Sequence, residues 1–233
     1  MTHNSFGTLY IVSTPIGNLK DITFRAVEIL SSVSMIAAED TRHSNKLLQH
    51  YDISTPSISF FEHNRSARIP QIMNYLKKGD HVAVISDAGT PGISDPAYKL
   101  IREAIAEEIT IESIPGPTAL IAAIVSSGLP TDRFIFEGFL PPKKGRKKRL
   151  MSLVNQDATI IFYESPYRLI KTLEEINEII GNRPAVIARE LTKMNEEIIR
   201  GTVSEILSYF TNKKPRGEFV IMIGKNDSNV FFK

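Results

Sequence analysis

Cysteine is absent from all 233 residues. The fold therefore holds no disulfide, and thiolate metal sites and cysteine nucleophiles are excluded. The five histidines, at positions 3, 43, 50, 63 and 81, form no HxxxH pair, so a catalytic zinc is not expected. No apolar run approaches the roughly 20 residues that a membrane helix needs. The opening MTHNSFG lacks the basic start and apolar stretch of a secretion signal, so a cytoplasmic protein with no membrane partner is expected. Formal net charge is only +2, so no global field draws nucleic acid in or pushes it away. Both common phosphate cradles are missing as well: there is no GxxxxGK followed by Ser or Thr, and no GxGxxG after the first strand. That argues against an ATPase or a dinucleotide enzyme. Internal repeats and low-complexity segments are also absent.

What is present is a chain 42% hydrophobic, enough for a large core in one or two domains. A short apolar run rich in β-formers predicts a strand at residues 8–13, and further strands are expected at 33–38, 81–86 and 110–114. Between them, helical periodicity predicts helices at 21–33, capped by Asp21, at 45–50, at 66–78, and at 95–107, where Asp95 caps and Pro96 sits in the first turn. This alternation predicts a parallel sheet covered by helices. The second half reads differently. Strands are expected at 133–140, 158–164, 185–191, 197–202 and 218–224, with helices at 166–180 and 203–210, and therefore a mixed sheet. The expected domains are 1–117 and 118–224, followed by a frayed tail, 225–233.

Three predicted strands run into corners rich in Gly and Pro: TPIGN at 14–18, DAGTPG at 87–92 and PGPT at 115–118. Glycine lets backbone approach a ligand, proline fixes a loop's shape, and open α/β sheets bind ligands beyond the carboxyl ends of their strands. Asp87 can accept hydrogen bonds from a ribose or a cationic amino group, or can simply be a turn aspartate. The other signal is PPKKGRKKR, with six cations from Lys143 to Arg149. Read functionally it is a mobile basic arm for phosphates; read structurally it is a solvated loop.

TPIGNLKDITFRA, AEDTRHS, SDAGTPGISDP, IPGPTAL, FYESPYR, ARELTK and GEFVIMIG occur in that order between residues 8 and 224. Together they resemble the tetrapyrrole methylase superfamily and, within it, the bacterial enzymes that methylate a cytidine 2′-hydroxyl of small-subunit ribosomal RNA. The resemblance implies two α/β domains, a parallel-sheet N-terminal and a mixed-sheet C-terminal one, with S-adenosylmethionine in the cleft between them. It also implies a homodimer and, as partner, small-subunit rRNA or the assembled 30S subunit. Carried over by position, Pro15 and Gly17 lie at the cleft floor. Asp87, Ala88, Gly89 and Thr90 bind the amino-acid end and sulfonium. Pro117, Thr118 and Ala119 line the other side, and Phe162, Tyr163 and the segments 189–192 and 217–219 complete the adenosine pocket. Ile93 and Ala97 stand where relatives often carry Leu and Gly, and many relatives continue past this chain's last residue as a small helical extension.

A ribose hydroxyl is a poor nucleophile at neutral pH, so a base or an alkoxide-stabilising cation is expected. The candidates are Glu39, Asp40, Glu164, and Glu190 with Lys193, though any one of these acids more often serves as a structural or RNA-orienting group than as the base. Lys143, Lys144, Arg146, Lys147, Lys148 and Arg149 are candidate RNA contacts. Arg42 and Arg168 are phosphate contacts or partners in a salt bridge. Two rivals remain: a C-methyltransferase acting on a tetrapyrrole, and a non-catalytic RNA-binding factor on a methylase fold.

Overall fold

In a computed structural model of the chain, residues 6–94, 97–227 and 229–232 are described. Asp95 and Pro96, the expected helix cap and first turn, and His3 lie outside them. The chain divides into two compact units, Met1–Thr118 and Ala119–Lys233.

The first unit alternates strand and helix: β1 (Leu9–Val12), α1 (Phe24–Ser32), β2 (Met35–Ala38), α2 (Thr41–His50), β3 (Ser57–Ser59), α3 (Arg65–Lys77), β4 (Val82–Ile85), α4 (Ala97–Ala106) and β5 (Ile111–Ile114). The five strands order as β3-β2-β4-β1-β5, and every pairing is parallel. Strands β2 and β4 are buried at every position, as expected where helices cover both faces of a parallel sheet. Alternation divides the core in two. Leu9, Ile11, Val82 and Val84 pack with Ile72, Leu76 and Leu100 of α3 and α4. Val12, Ile36, Ala83 and Ile85 pack on the opposite face with Ala26, Leu30 and Leu48 of α1 and α2. Thr23, not Asp21, caps α1 by accepting the Ala26 N–H; Asp21 closes a 3-10 turn, Leu19–Asp21. Helix α2 begins at Thr41, earlier than expected, because Asp40 caps it.

The second unit contains α5 (Ala119–Ser127), β6 (Phe134–Phe139), α6 (Arg146–Met151), β7 (Thr159–Glu164), α7 (Leu169–Ile179), β8 (Pro184–Arg189), β9 (Glu197–Thr202), α8 (Val203–Asn212) and β10 (Phe219–Ile223). Its sheet orders as β6-β7-β10-β8-β9, parallel only between β6 and β7. One core joins Ile160, Phe162, Ile187 and Ile221 to Leu150, Leu173, Ile206 and Phe210 of α6, α7 and α8. Helix α5 packs against β8 and β10. The basic run is therefore not a mobile arm: it folds as α6, with Arg146 and Leu150 buried one turn apart. The chain's end is not frayed throughout either. A Cβ on Gly224 would stand 3.1 Å from the Val230 side chain, and one on Gly128 would stand 3.5 Å from Phe232.

Candidate active site

The carboxyl ends of β1, β4 and β5 converge within the first unit. Thr14 and Gly89 form an isolated antiparallel bridge, Thr14 N–H to Gly89 O at 2.8 Å and Gly89 N–H to Thr14 O at 3.0 Å. The Gly89 amide is thus spent on its neighbour rather than held open for a ligand. What requires glycine there is a φ of 80°, a left-handed conformation that side chains disfavour. Gly116 is needed for a different reason: a Cβ on it would stand 2.8 Å from the Ser13 Cβ, so the first and third corners touch backbone to side chain.

Hydroxyls tie the corners together. Ser13 Oγ and Thr90 Oγ1 lie 2.9 Å apart, and Thr90 Oγ1 and Thr118 Oγ1 2.6 Å apart. Thr90 Oγ1 also lies 3.3 Å from the Pro117 carbonyl. Thr14 Oγ1 donates to the Ser86 carbonyl at 3.2 Å. Pro15 is buried, Gly17 and Ala88 are exposed, and Asp87 is half-buried. The Asp87 carboxylate accepts the Asp40 N–H at 2.9 Å, while the Asp87 N–H donates to Glu39 Oε2 at 3.3 Å. The structure therefore brings Asp87, Glu39 and Asp40 together at the ends of β2 and β4. Ser13 was not anticipated. Its signal was the Ser-Thr pair ending an otherwise apolar strand, where a hydroxyl buried to this degree needs a partner.

Charge at the corners is informative. Residues 13–18, 86–92 and 115–118 include no Lys or Arg. A phosphate-bearing ligand would meet a carboxylate and hydroxyls with no cation among them. A cationic, hydroxyl-bearing ligand matches that donor set, with Asp87 for a positive centre and the Ser13–Thr90–Thr118 chain for polar edges. Asp40 is held by Arg42, whose side chain and backbone N–H bonds lower its carboxyl to about 2. Arg42 itself is 90% exposed and bridges Asp40 at 2.8 Å.

The remaining candidates belong to the second unit. Tyr163 hydroxyl accepts the Leu120 N–H at 3.1 Å, one residue beyond Ala119; burial raises its pKa, partly offset by that bond. Phe162 is fully buried among α7 and α8 side chains. A strand's period of two sends adjacent side chains to opposite faces, so Phe162 packs in the second unit's core while Tyr163 faces the other side of the sheet. Glu164 is 2% exposed. It accepts from Arg168 Nε and Thr172 Oγ1, both at 2.7 Å, and lies 3.9 Å from Arg146. It is a core ion-pair partner, not an exposed base. Arg168 is committed likewise, donating to the Leu140 carbonyl at 3.0 Å. Arg146, 4% exposed, pairs with Glu175 and Thr172, and this corrects its expected role as an RNA contact: its guanidinium is committed inside the core. Arg149 is exposed but pairs with Glu137. Lys143, Lys144, Lys147 and Lys148 are exposed.

Glu190 and Thr192 both have positive φ, 49° and 66°, at the end of β8. The Glu190 carboxylate receives the Glu218 N–H at 2.9 Å and Lys193 Nζ at 3.1 Å, and Lys193 reaches Glu218 at 2.9 Å. Burial pushes the Glu190 carboxyl up, but the Glu218 N–H and Lys193 outweigh it and the net shift is downward. For Lys193, burial is again the largest influence, outweighed by the two carboxylates that raise it. These groups form a clamp. Among the described residues no cluster of three or more His, Asp or Glu is placed to hold a metal, and no helix is long and apolar enough to cross a membrane.

Residues 8–207 match the family model of tetrapyrrole (corrin/porphyrin) methylases. The chain is 52% identical over 93% of its length to the ribosomal RNA small subunit methyltransferase I of Synechocystis sp., covering 78% of that protein. It is 51% identical over 93% of its length to the protein of the same name from Thermotoga maritima, covering 98% of it. Among solved structures, a cobalamin biosynthetic enzyme, cobalt precorrin-4 methyltransferase, superposes with TM-score 0.69 at 19% identity, covering 93% of this chain and 94% of that one. A diphthine synthase superposes with TM-score 0.75 at 12% identity, covering 94% and 90%. Likeness at that identity bears on fold alone, and the fold agrees with the relatives: the chain belongs to the tetrapyrrole methylase family, in the group of ribosomal RNA small subunit methyltransferases I.

Proposed function

We propose that this enzyme methylates the ribose 2′-hydroxyl of a cytidine in small-subunit (16S) ribosomal RNA, with S-adenosylmethionine as donor. The observation that carries the reading is the 51% identity to a protein named for small-subunit rRNA methylation across 98% of that protein. The cation-free corners of the first unit support the choice of donor. Asp87 and the Ser13–Thr90–Thr118 hydroxyls suit its positive amino-acid end and its polar groups. When bound, the donor supplies a methyl already activated on a sulfonium. The protein's task is then alignment and removal of the hydroxyl proton.

Asp40, lowered to about 2, is too weak a base to be matched to neutral pH. Glu164 and Glu190 are committed to Arg168 and Lys193. Glu39, at the end of β2 and bonded to the Asp87 amide, is the acid to replace first, and Glu39→Gln should lower kcat while leaving donor affinity intact. A homodimer belongs to the same reading and is checked by light scattering.

The deciding assay offers labelled donor together with 30S subunits, free 16S rRNA or a porphyrinoid, and locates the label by mass spectrometry. Methyl on a cytidine ribose of 16S rRNA is expected. Transfer to the porphyrinoid with both RNA substrates inert would overturn the reading, and no donor-dependent thermal stabilisation would leave only a non-catalytic binder.

A further inference from the structure

We propose that the hollow between the end of β6 and helix α6 seats one unpaired nucleotide of the substrate RNA, its base against Phe139 and its phosphate on Lys148. The inference rests on the rRNA-methylation reading above and adds a place for RNA within the second unit. The hollow measures about 510 Å³, within the range of roughly 300–1,000 Å³ typical of small-ligand sites. Phe139, Leu140 and Pro141 form its apolar floor, and Lys148, the Arg149–Glu137 pair and Ser152 line its rim.

Three features show that this floor is built. The pairing of β6 with β7 slips between Phe136 and Phe139, so one extra residue is inserted, and Gly138 adopts a φ of 62° there. A bulge reverses the alternation beyond it. Phe139 accordingly turns to the face of Tyr163, with ring centroids 5.7 Å apart, while Leu140 enters the core. Second, Phe139 remains 55% exposed, although a register without the bulge would direct position 139 to the opposite, covered face of the sheet. Third, the rim is fixed in place. Glu137, itself inserted at the bulge, holds Arg149, and the buried Arg146–Glu175 and Arg146–Thr172 contacts seat α6. Lys148 forms no ion pair among the described residues. An aromatic face beside an exposed lysine matches single-stranded nucleic acid, where stacking tolerates any base and cations follow the backbone; Glu137 and Ser152 complete the lining.

The test measures steady-state methyl transfer to 16S rRNA or 30S subunits, whichever the native enzyme accepts, with Phe139→Ala, Phe139→Trp and Lys148→Ala. Phe139→Ala should raise the RNA KM about tenfold with kcat little changed, which a tenfold constant converts to about 1.4 kcal/mol, inside the range for stacking one base. Phe139→Trp should restore the native KM. Lys148→Ala should raise KM and reduce the salt slope of RNA binding by about 0.7. Should Phe139→Ala lower the melting temperature, Phe139→Trp and the exposed Lys148→Ala decide the matter. A native RNA KM in Phe139→Ala, or an unchanged salt slope in Lys148→Ala, overturns the subsite while leaving rRNA methylation standing. Failure of the native enzyme to methylate either RNA overturns the function itself, so the two failures are distinguishable.

Discussion

At Asp40 one residue makes three commitments. Its side chain accepts the Arg42 N–H and so caps α2, its carboxylate pairs with the Arg42 guanidinium, and its own N–H donates to Asp87. The first two lower its pKa to about 2, below the roughly 3.9 of an unfolded aspartate. A depressed folded pKa stabilises above the unfolded value, and the stabilisation is lost as pH falls through the folded one. Asp40→Asn keeps a side-chain oxygen for the cap but loses the charge. The melting-temperature gap between native protein and Asp40→Asn should therefore be constant above about pH 5 and close toward about pH 2. Asp40→Ala should lie lower than Asp40→Asn at neutral pH. A gap that persists unchanged at pH 2 would remove the ion pair as its cause. Nothing in the sequence distinguished this aspartate from a catalytic one, because the difference lies in where Arg42, two residues on, directs its guanidinium.

Among the elements, legibility followed burial and local chemistry. Strands β1, β2 and β4 were readable as short apolar runs, and β5 from the Pro-Gly-Pro corner that ends it. Strand β3 was not: Ser57–Ser59 is a three-residue, largely polar edge strand. Helix α5, ALIAAIVSS, is apolar nearly all round, and periodicity cannot mark a helix that lacks a polar face. Helix α6 was hidden by its charge, although the spacing of Arg146, Leu150 and Leu153, all buried, carried the signal. The corners announced themselves through Gly and Pro, but the Thr14–Gly89 bridge joins residues 75 apart and no local pattern marks it. Two variants test what the elements require. Gly116→Ala drives a Cβ into Ser13 and should spread β1 from β5. Overpacking of this kind costs about 1–3 kcal/mol, and calorimetry should show donor affinity weakened about tenfold. Arg146→Ala deprives Glu175 and Thr172 of their buried guanidinium partner, while Glu164 keeps Arg168; it should cost about 1–3 kcal/mol in urea unfolding, without changing the salt slope of RNA binding.

For the whole molecule, the small net charge conceals an uneven distribution. The formal charge is +2, yet four exposed lysines, Lys143, Lys144, Lys147 and Lys148, lie within one turn of α6 or just before it. Arg146 and Arg149, from the same run, are taken by carboxylates. Of this run, the lysines are then the cations left to displace counterions from RNA, and their number rather than the overall charge sets the run's share of the salt dependence. Each contact with a single strand contributes about −0.7 to the slope of log K against log salt. Replacing all four by Gln should flatten that slope by about 3 units, while donor binding to the cation-free corners of the first unit stays as it was. Fluorescence anisotropy with labelled rRNA at graded salt, beside calorimetry with S-adenosylmethionine, measures both. An unaltered slope would make the lysines a solvated face, and a donor affinity that falls with them would mean that their effect is not confined to RNA.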